Sequence, residues 1–181
     1  APCTRSGRAG STSGGRRAVI EGALGDLGLA GGRWEYESNR EYPVVPNGMT
    51  RPLFMRGTNV EADAGPMRDK PVLLIGAHFD GGVVDNASGC AAVLELARRF
   101  KENPLPDFDV KVGFFDQEED GMLGSESYVD TCKVEDICPV LYLNLSVFAN
   151  GTELSVSTTS VSHTLDAEQT AARPDPACGS G

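Results

Sequence analysis

The chain has 181 residues, with 16 Lys or Arg against 26 Asp or Glu and a formal net charge of −10. That length suits one globular domain, and the acidic balance argues against nucleic acid phosphates and anionic membrane surfaces as partners. No stretch approaches the roughly 18–20 apolar residues of a membrane span, and the start lacks a signal-peptide core, although a processed exported form would begin the same way.

Residues 1–16 are nearly all Gly, Ser, Thr, Ala and Arg, which predicts a disordered tail. Over residues 17–29, Val19, Ile20, Ala23, Leu24 and Leu27 recur at helical steps, and Gly31-Gly32 closes that segment. Residues 34–45 and 53–60 alternate aromatic and β-branched positions around Pro46-Asn47-Gly48, predicting a hairpin. Residues 72–75 form a wholly apolar run, as a strand covered on both faces requires. Apolar residues from Ala91 to Phe100 then repeat with helical spacing until Pro104 and Pro106 stop them. Strand over 110–115, helix over 122–129 and strand over 140–145 complete a βαβαβ order, which predicts parallel strands with ligands beyond their carboxyl ends. The polar, small-residue sequence after Thr159 reads as a second tail, so the expected division is tail 1–16, α/β domain 17–160 and low-complexity tail 161–181.

Chemistry-bearing residues gather at the predicted strand ends. His78 and Asp80 follow the first core strand, Asp85 opens the next helix, and Asp116, Glu118, Glu119 and Asp120 follow the second core strand. Imidazole and carboxylate donors suit zinc, and a carboxylate can bridge two ions. Singly, each has an ordinary explanation: Asp85 at a helix N-terminus, the acidic turn as a solvated loop. Three such clusters at one sheet edge favour a site. The five cysteines lack the CxxC pairs of a structural zinc site; Cys90 reads as a small buried apolar residue, whereas Cys132 and Cys138 are near enough in sequence to bridge in an oxidising compartment, which favours a secreted or periplasmic location.

The segments IGAHFD over 75–80, VDNASG over 84–89 with LELAR over 94–98, and FFDQEEDGMLGS over 114–125 resemble the co-catalytic zinc aminopeptidases, whose superfamily of zinc exopeptidases includes carboxypeptidases and glutaminyl cyclases. The resemblance implies a three-layer α/β sandwich on a mostly parallel mixed sheet, here incomplete at its C-terminal end, and hydrolysis of a peptide substrate with two zinc ions. By position it makes His78 a ligand of one metal, Asp85 the bridge, Glu119 a ligand of the second, Glu118 the general base and Asp80 the group that orients the imidazole. Two departures stand out. Ser146 occupies the place of an expected aspartate ligand after the third strand, and no segment matches the family's late histidine; His163 is read as a surface residue. A glutaminyl-cyclase-like transferase and a catalytically dead peptide-binding domain are the alternatives. Asn86, Asn144 and Asn150 each open an Asn-X-Ser/Thr triplet, discounted as glycan sites because the first two fall at the metal loop and on a core strand.

Overall fold

The computed structural model describes residues 12–44, 49–147, 154–157 and 162–165. In chain order these form α1 (Thr12–Asp26), β1 (Gly31–Val44), β2 (Met49–Asp63), β3 (Val72–His78), α2 (Ala87–Glu102), β4 (Asp109–Phe115), α3 (Leu123–Glu135) and β5 (Leu141–Asn144). A second compact unit, residues 149–181, contains the antiparallel pair β6 (Leu154–Ser157) and β7 (Ser162–Leu165). Neither strand was foreseen in that polar stretch, and the side chain of His163 lies outside the described residues.

The main sheet runs β1-β2-β4-β3-β5. The three core strands are parallel, as the βαβαβ order predicts, while the β1–β2 hairpin joins through an antiparallel β2–β4 pairing. Register puts His78 opposite Phe115 and Gly76 opposite Asn144, so the carboxyl ends of β3, β4 and β5 lie at one edge. The residues that follow them, 79–86, 116–122 and 145–147, are neighbours for that reason.

Alternation along β3 and β4 divides the core into two faces. Ile75, Ala77, Val110, Val112 and Phe114 pack with Val93 and Ala97 of α2 and Ile20 and Leu24 of α1. Leu74 and Phe115 face the other way, onto Tyr128 and Cys132 of α3, with Trp34 packed alongside. The Trp34 and Tyr128 rings are 5.0 Å apart, and Phe115 meets Tyr128 edge-on at 5.5 Å. Helices on both faces of a mixed sheet make the expected three layers. Each fully buried aliphatic side chain contributes about 1.5–3 kcal/mol, which lets α2 anchor through a narrow Cys90–Val93–Ala97 stripe while Glu95, Arg98 and Glu102 pair on its outer side.

Three local expectations are corrected. Helix α1 begins at Thr12, not near Arg17, because tertiary bonds hold its first turn: Ser13 Oγ donates to Asp116 at 2.8 Å. Strand β5 is exposed along its length, Leu141 at 55%, because it lies at the sheet edge and no described element covers it. Asn144 is therefore exposed, at the end of an edge strand and not in a buried one, whereas Asn86 is fully buried. Among the described residues no helix is long and apolar enough to cross a membrane.

Candidate metal centre

His78 is the last residue of β3 and is 4% exposed. Parallel pairing with Phe115 places its ring beside the turn that leaves β4. Its Nε2 lies 3.0 Å from Asp85 Oδ1 and 3.9 Å from Glu118 Oε2, while Nδ1 lies 3.3 Å from Asp80 Oδ1. The backbone carbonyl of His78 accepts from the Cys90 thiol at 3.2 Å. Burial pushes that thiol up to about 12, so Cys90 is the inert buried residue its helical context predicted.

Asp80 joins the two loops. One carboxylate oxygen faces the imidazole and the other accepts the Glu119 N–H at 2.9 Å. Burial opposes ionisation of Asp80, but the imidazole and the N–H groups of Glu119 and Glu118 outweigh it and hold the carboxyl below its ordinary range. For His78 burial disfavours the charged ring; Asp80, Glu118 and Asp85 together reverse this and raise its pKa. The imidazole is thus gripped at both nitrogens by carboxylates.

Of the residues expected in the site, the fold brings His78, Asp80, Asp85 and Glu118 together. Glu119 is held by its backbone, and its carboxylate lies over Gly81, with Oε1 2.9 Å from where a Cβ there would stand. Gly81, at φ +90, suits that close approach because it has no side chain. Ser146 is exposed and is bracketed by Leu145 and Val147, both bonded to the Asn86 side chain, so it stands beside the Asp85 loop. Among the described residues no group of three His, Cys, Asp or Glu side chains converges closely enough to enclose a metal ion. The donor pair His78 Nε2 and Asp85 Oδ1 nevertheless fits one zinc in chemistry and spacing, since ligands about 2.0–2.1 Å from a tetrahedral ion stand about 3.3 Å apart.

An open cleft of about 1070 Å³ adjoins these loops, with Asp80, Gly81, Glu119, Tyr36, Arg17 and Arg56 among its lining residues. Sequence reasoning counted Asp116, 5% exposed, among the strand-end carboxylates but gave it no role, and it missed the Tyr36 that bonds to its backbone from β1. Position after an apolar strand was a signal for Asp116. Nothing local marked Tyr36, 80 residues away.

The family model of Peptidase family M28 matches residues 59–177. Over 101 residues the chain is 34% identical to a Mycobacterium tuberculosis protein named "Probable lipoprotein aminopeptidase LpqL", covering 52% of this chain and 20% of that one. It is 33% identical over 98 residues to an aminopeptidase of Pseudomonas aeruginosa, covering 51% and 18%. The glutaminyl cyclase structure of Fimbriiglobus ruber shares the fold, with a TM-score of 0.53 at 22% identity over 71% of this chain and 50% of that one. The chain spans about a fifth of the length of the curated relatives it matches.

Proposed function

The chain belongs to peptidase family M28, and on that footing we propose that it is an aminopeptidase-like hydrolase using zinc, with Glu118 as the base in peptide-bond hydrolysis. The observation that carries the reading is the buried imidazole of His78, whose Nε2 faces both Asp85 at 3.0 Å and Glu118 at 3.9 Å. His78 and Asp85 would hold one zinc, and Glu119 and Asp85 are the residues that would contribute to a second. When bound, zinc supplies Lewis acidity that polarises a carbonyl and makes water more acidic. Asp80 fixes the imidazole tautomer: by accepting from Nδ1–H it leaves the Nε2 lone pair free for a ligand role. Glu118 is partly exposed, so its carboxylate can meet solvent and accept a proton from the attacking water. The adjoining cleft, with carboxylates of Asp80 and Glu119 on its wall, offers room and negative charge for a peptide's ammonium terminus. A peptide substrate follows from the family; the preferred residue does not.

Glu118→Gln tests the assignment. The amide is nearly isosteric but cannot take the proton, so hydrolysis of an aminoacyl anilide should fall by about 100-fold or more while zinc content is retained. Wild-type turnover in the folded variant would remove Glu118 from the chemistry. Zinc binding without hydrolysis by the unmodified chain would favour a peptide-binding role. For location we propose a compartment outside the cytoplasm, in keeping with the word lipoprotein in the mycobacterial relative's name; cell fractionation tests it. Cys132 is buried and Cys138 exposed, and both are free thiols in the structure.

A further inference from the structure

The turn that carries Glu118 and Glu119 begins with a conformation its sequence does not favour. Gln117 has φ +57, a left-handed backbone that side-chain-bearing residues adopt only when their surroundings impose it. The surroundings here are unusually complete. Asp116 accepts from Ser13 Oγ at 2.8 Å and from the Gln117 N–H at 3.0 Å through one carboxylate oxygen, and from the Thr58 N–H at 3.3 Å through the other. Its own N–H donates to Asn59 Oδ1 at 3.0 Å, and Asn59 in turn donates to the Gly124 carbonyl at 2.8 Å.

Tyr36 closes the arrangement from β1. Its hydroxyl lies 3.1 Å from the Asp116 carbonyl and 2.9 Å from the Gln117 side-chain amide. One phenolic proton serves one acceptor; with the Gln117 amide turned so that its NH₂ donates to the phenol, the phenol donates to Asp116 and both contacts are made. Tyr36 pairs with Gly57 across the β1–β2 ladder, and a Cβ at that position would collide with the phenol ring. The glycine thus gives the ring passage over β2 to the end of β4. Tyr36 is 6% exposed, which keeps water from competing for these bonds.

The geometry points to Tyr36 as a positioning residue that holds Gln117 left-handed and so aims the two residues that follow. Those are Glu118, whose carboxylate reaches His78, and Glu119, whose N–H reaches Asp80. Tyr36 makes neither contact itself; it acts through the Asp116 carbonyl and the Gln117 side chain. Its importance for zinc and turnover rests on the hydrolase reading above, but its hold on the turn does not.

The test uses the full chain with Tyr36→Phe, which keeps the ring over Gly57 and removes only the hydroxyl. In the metal-free chain, amide hydrogen exchange at residues 117–120 should speed up by about 5- to 10-fold, the effect of one net hydrogen bond. Binding of zinc alone, read by competition with a chelating dye, should weaken by about 10-fold, as loss of a supporting hydrogen bond does at metal sites. In a Gln117→Gly background, where the left-handed backbone is unstrained, adding Tyr36→Phe should change either reading by less than about 2-fold. Gln117→Val offers an independent route, because a β-branched residue resists positive φ and should reproduce both losses in a folded chain. Unchanged exchange in folded Tyr36→Phe overturns the inference, as does an equal loss in the glycine background. Faster exchange in a chain that binds no zinc with or without the substitution supports the positioning role and refutes the zinc reading.

Discussion

Asn86→Ala should be the most damaging single substitution at the edge of the site. The side chain is fully buried. Its Oδ1 accepts the Gly89 N–H at 3.0 Å, capping α2, and the Val147 N–H at 3.3 Å, while its Nδ2 donates to the Leu145 carbonyl at 2.7 Å. Loss of the cap costs about 1 kcal/mol. The other two bonds contribute about 1 kcal/mol each, because the groups left behind have lost their partner. The sum is about 3 kcal/mol, or about 6–12 °C of melting temperature for a chain of this size. Urea unfolding followed by circular dichroism measures it directly. Asn86→Asp supplies an internal control: it keeps the Oδ1 acceptor for the cap but sets a carboxylate against the Leu145 carbonyl. A loss below about 1 kcal/mol for Asn86→Ala with an unchanged m-value would show that the 145–147 loop is held by something other than Asn86.

Two further outcomes follow from the geometry. Ser146→Asp places a carboxylate beside the Asp85 loop, between two residues fixed to Asn86; zinc affinity at the His78–Asp85 pair should rise by about 10- to 100-fold, and identical titration curves for the two chains would mean that β5 does not contribute a ligand position. Asp109 titrates in the opposite sense to the raised His78. Burial disfavours its charge, but the Arg68 and Lys70 N–H groups and the Arg68 guanidinium hold its pKa below the ordinary 3.8. A lowered folded pKa contributes stability that is present above 3.8 and lost as pH falls through the folded value. Stability should therefore drop as pH falls below 3.8 and through the lowered folded value, and Asp109→Asn should flatten that limb; an identical acid limb in the variant would remove Asp109 as its cause.

Much of this was legible residue by residue. The unbroken apolar runs of β3 and β4 and the helical repeat of α2 announced a parallel α/β core, because a strand buried on both faces has no polar side to alternate. Strand order alone puts His78, Asp85 and Glu118 at one edge, since parallel strands share their carboxyl ends. Local pattern also explains the misses: Ser13 sits in a Gly- and Ser-rich stretch with weak helical preference, and β5 is as apolar as a core strand yet exposed.

The sequence by itself therefore determined most element types, the parallel order of the βαβαβ core and which donor side chains gather at its strand ends, because these depend on periodicity and on which side chains follow which strand. Tertiary structure alone decided where each carboxylate points: Glu118 toward His78, Glu119 over Gly81, and Asp116 inward to Ser13 and Thr58. Those directions are set by contacts between residues far apart in the chain, 39 positions for Asp80 with Glu119 and 103 for Ser13 with Asp116. No local propensity encodes such contacts; they exist only once the strands have paired and the helices have docked.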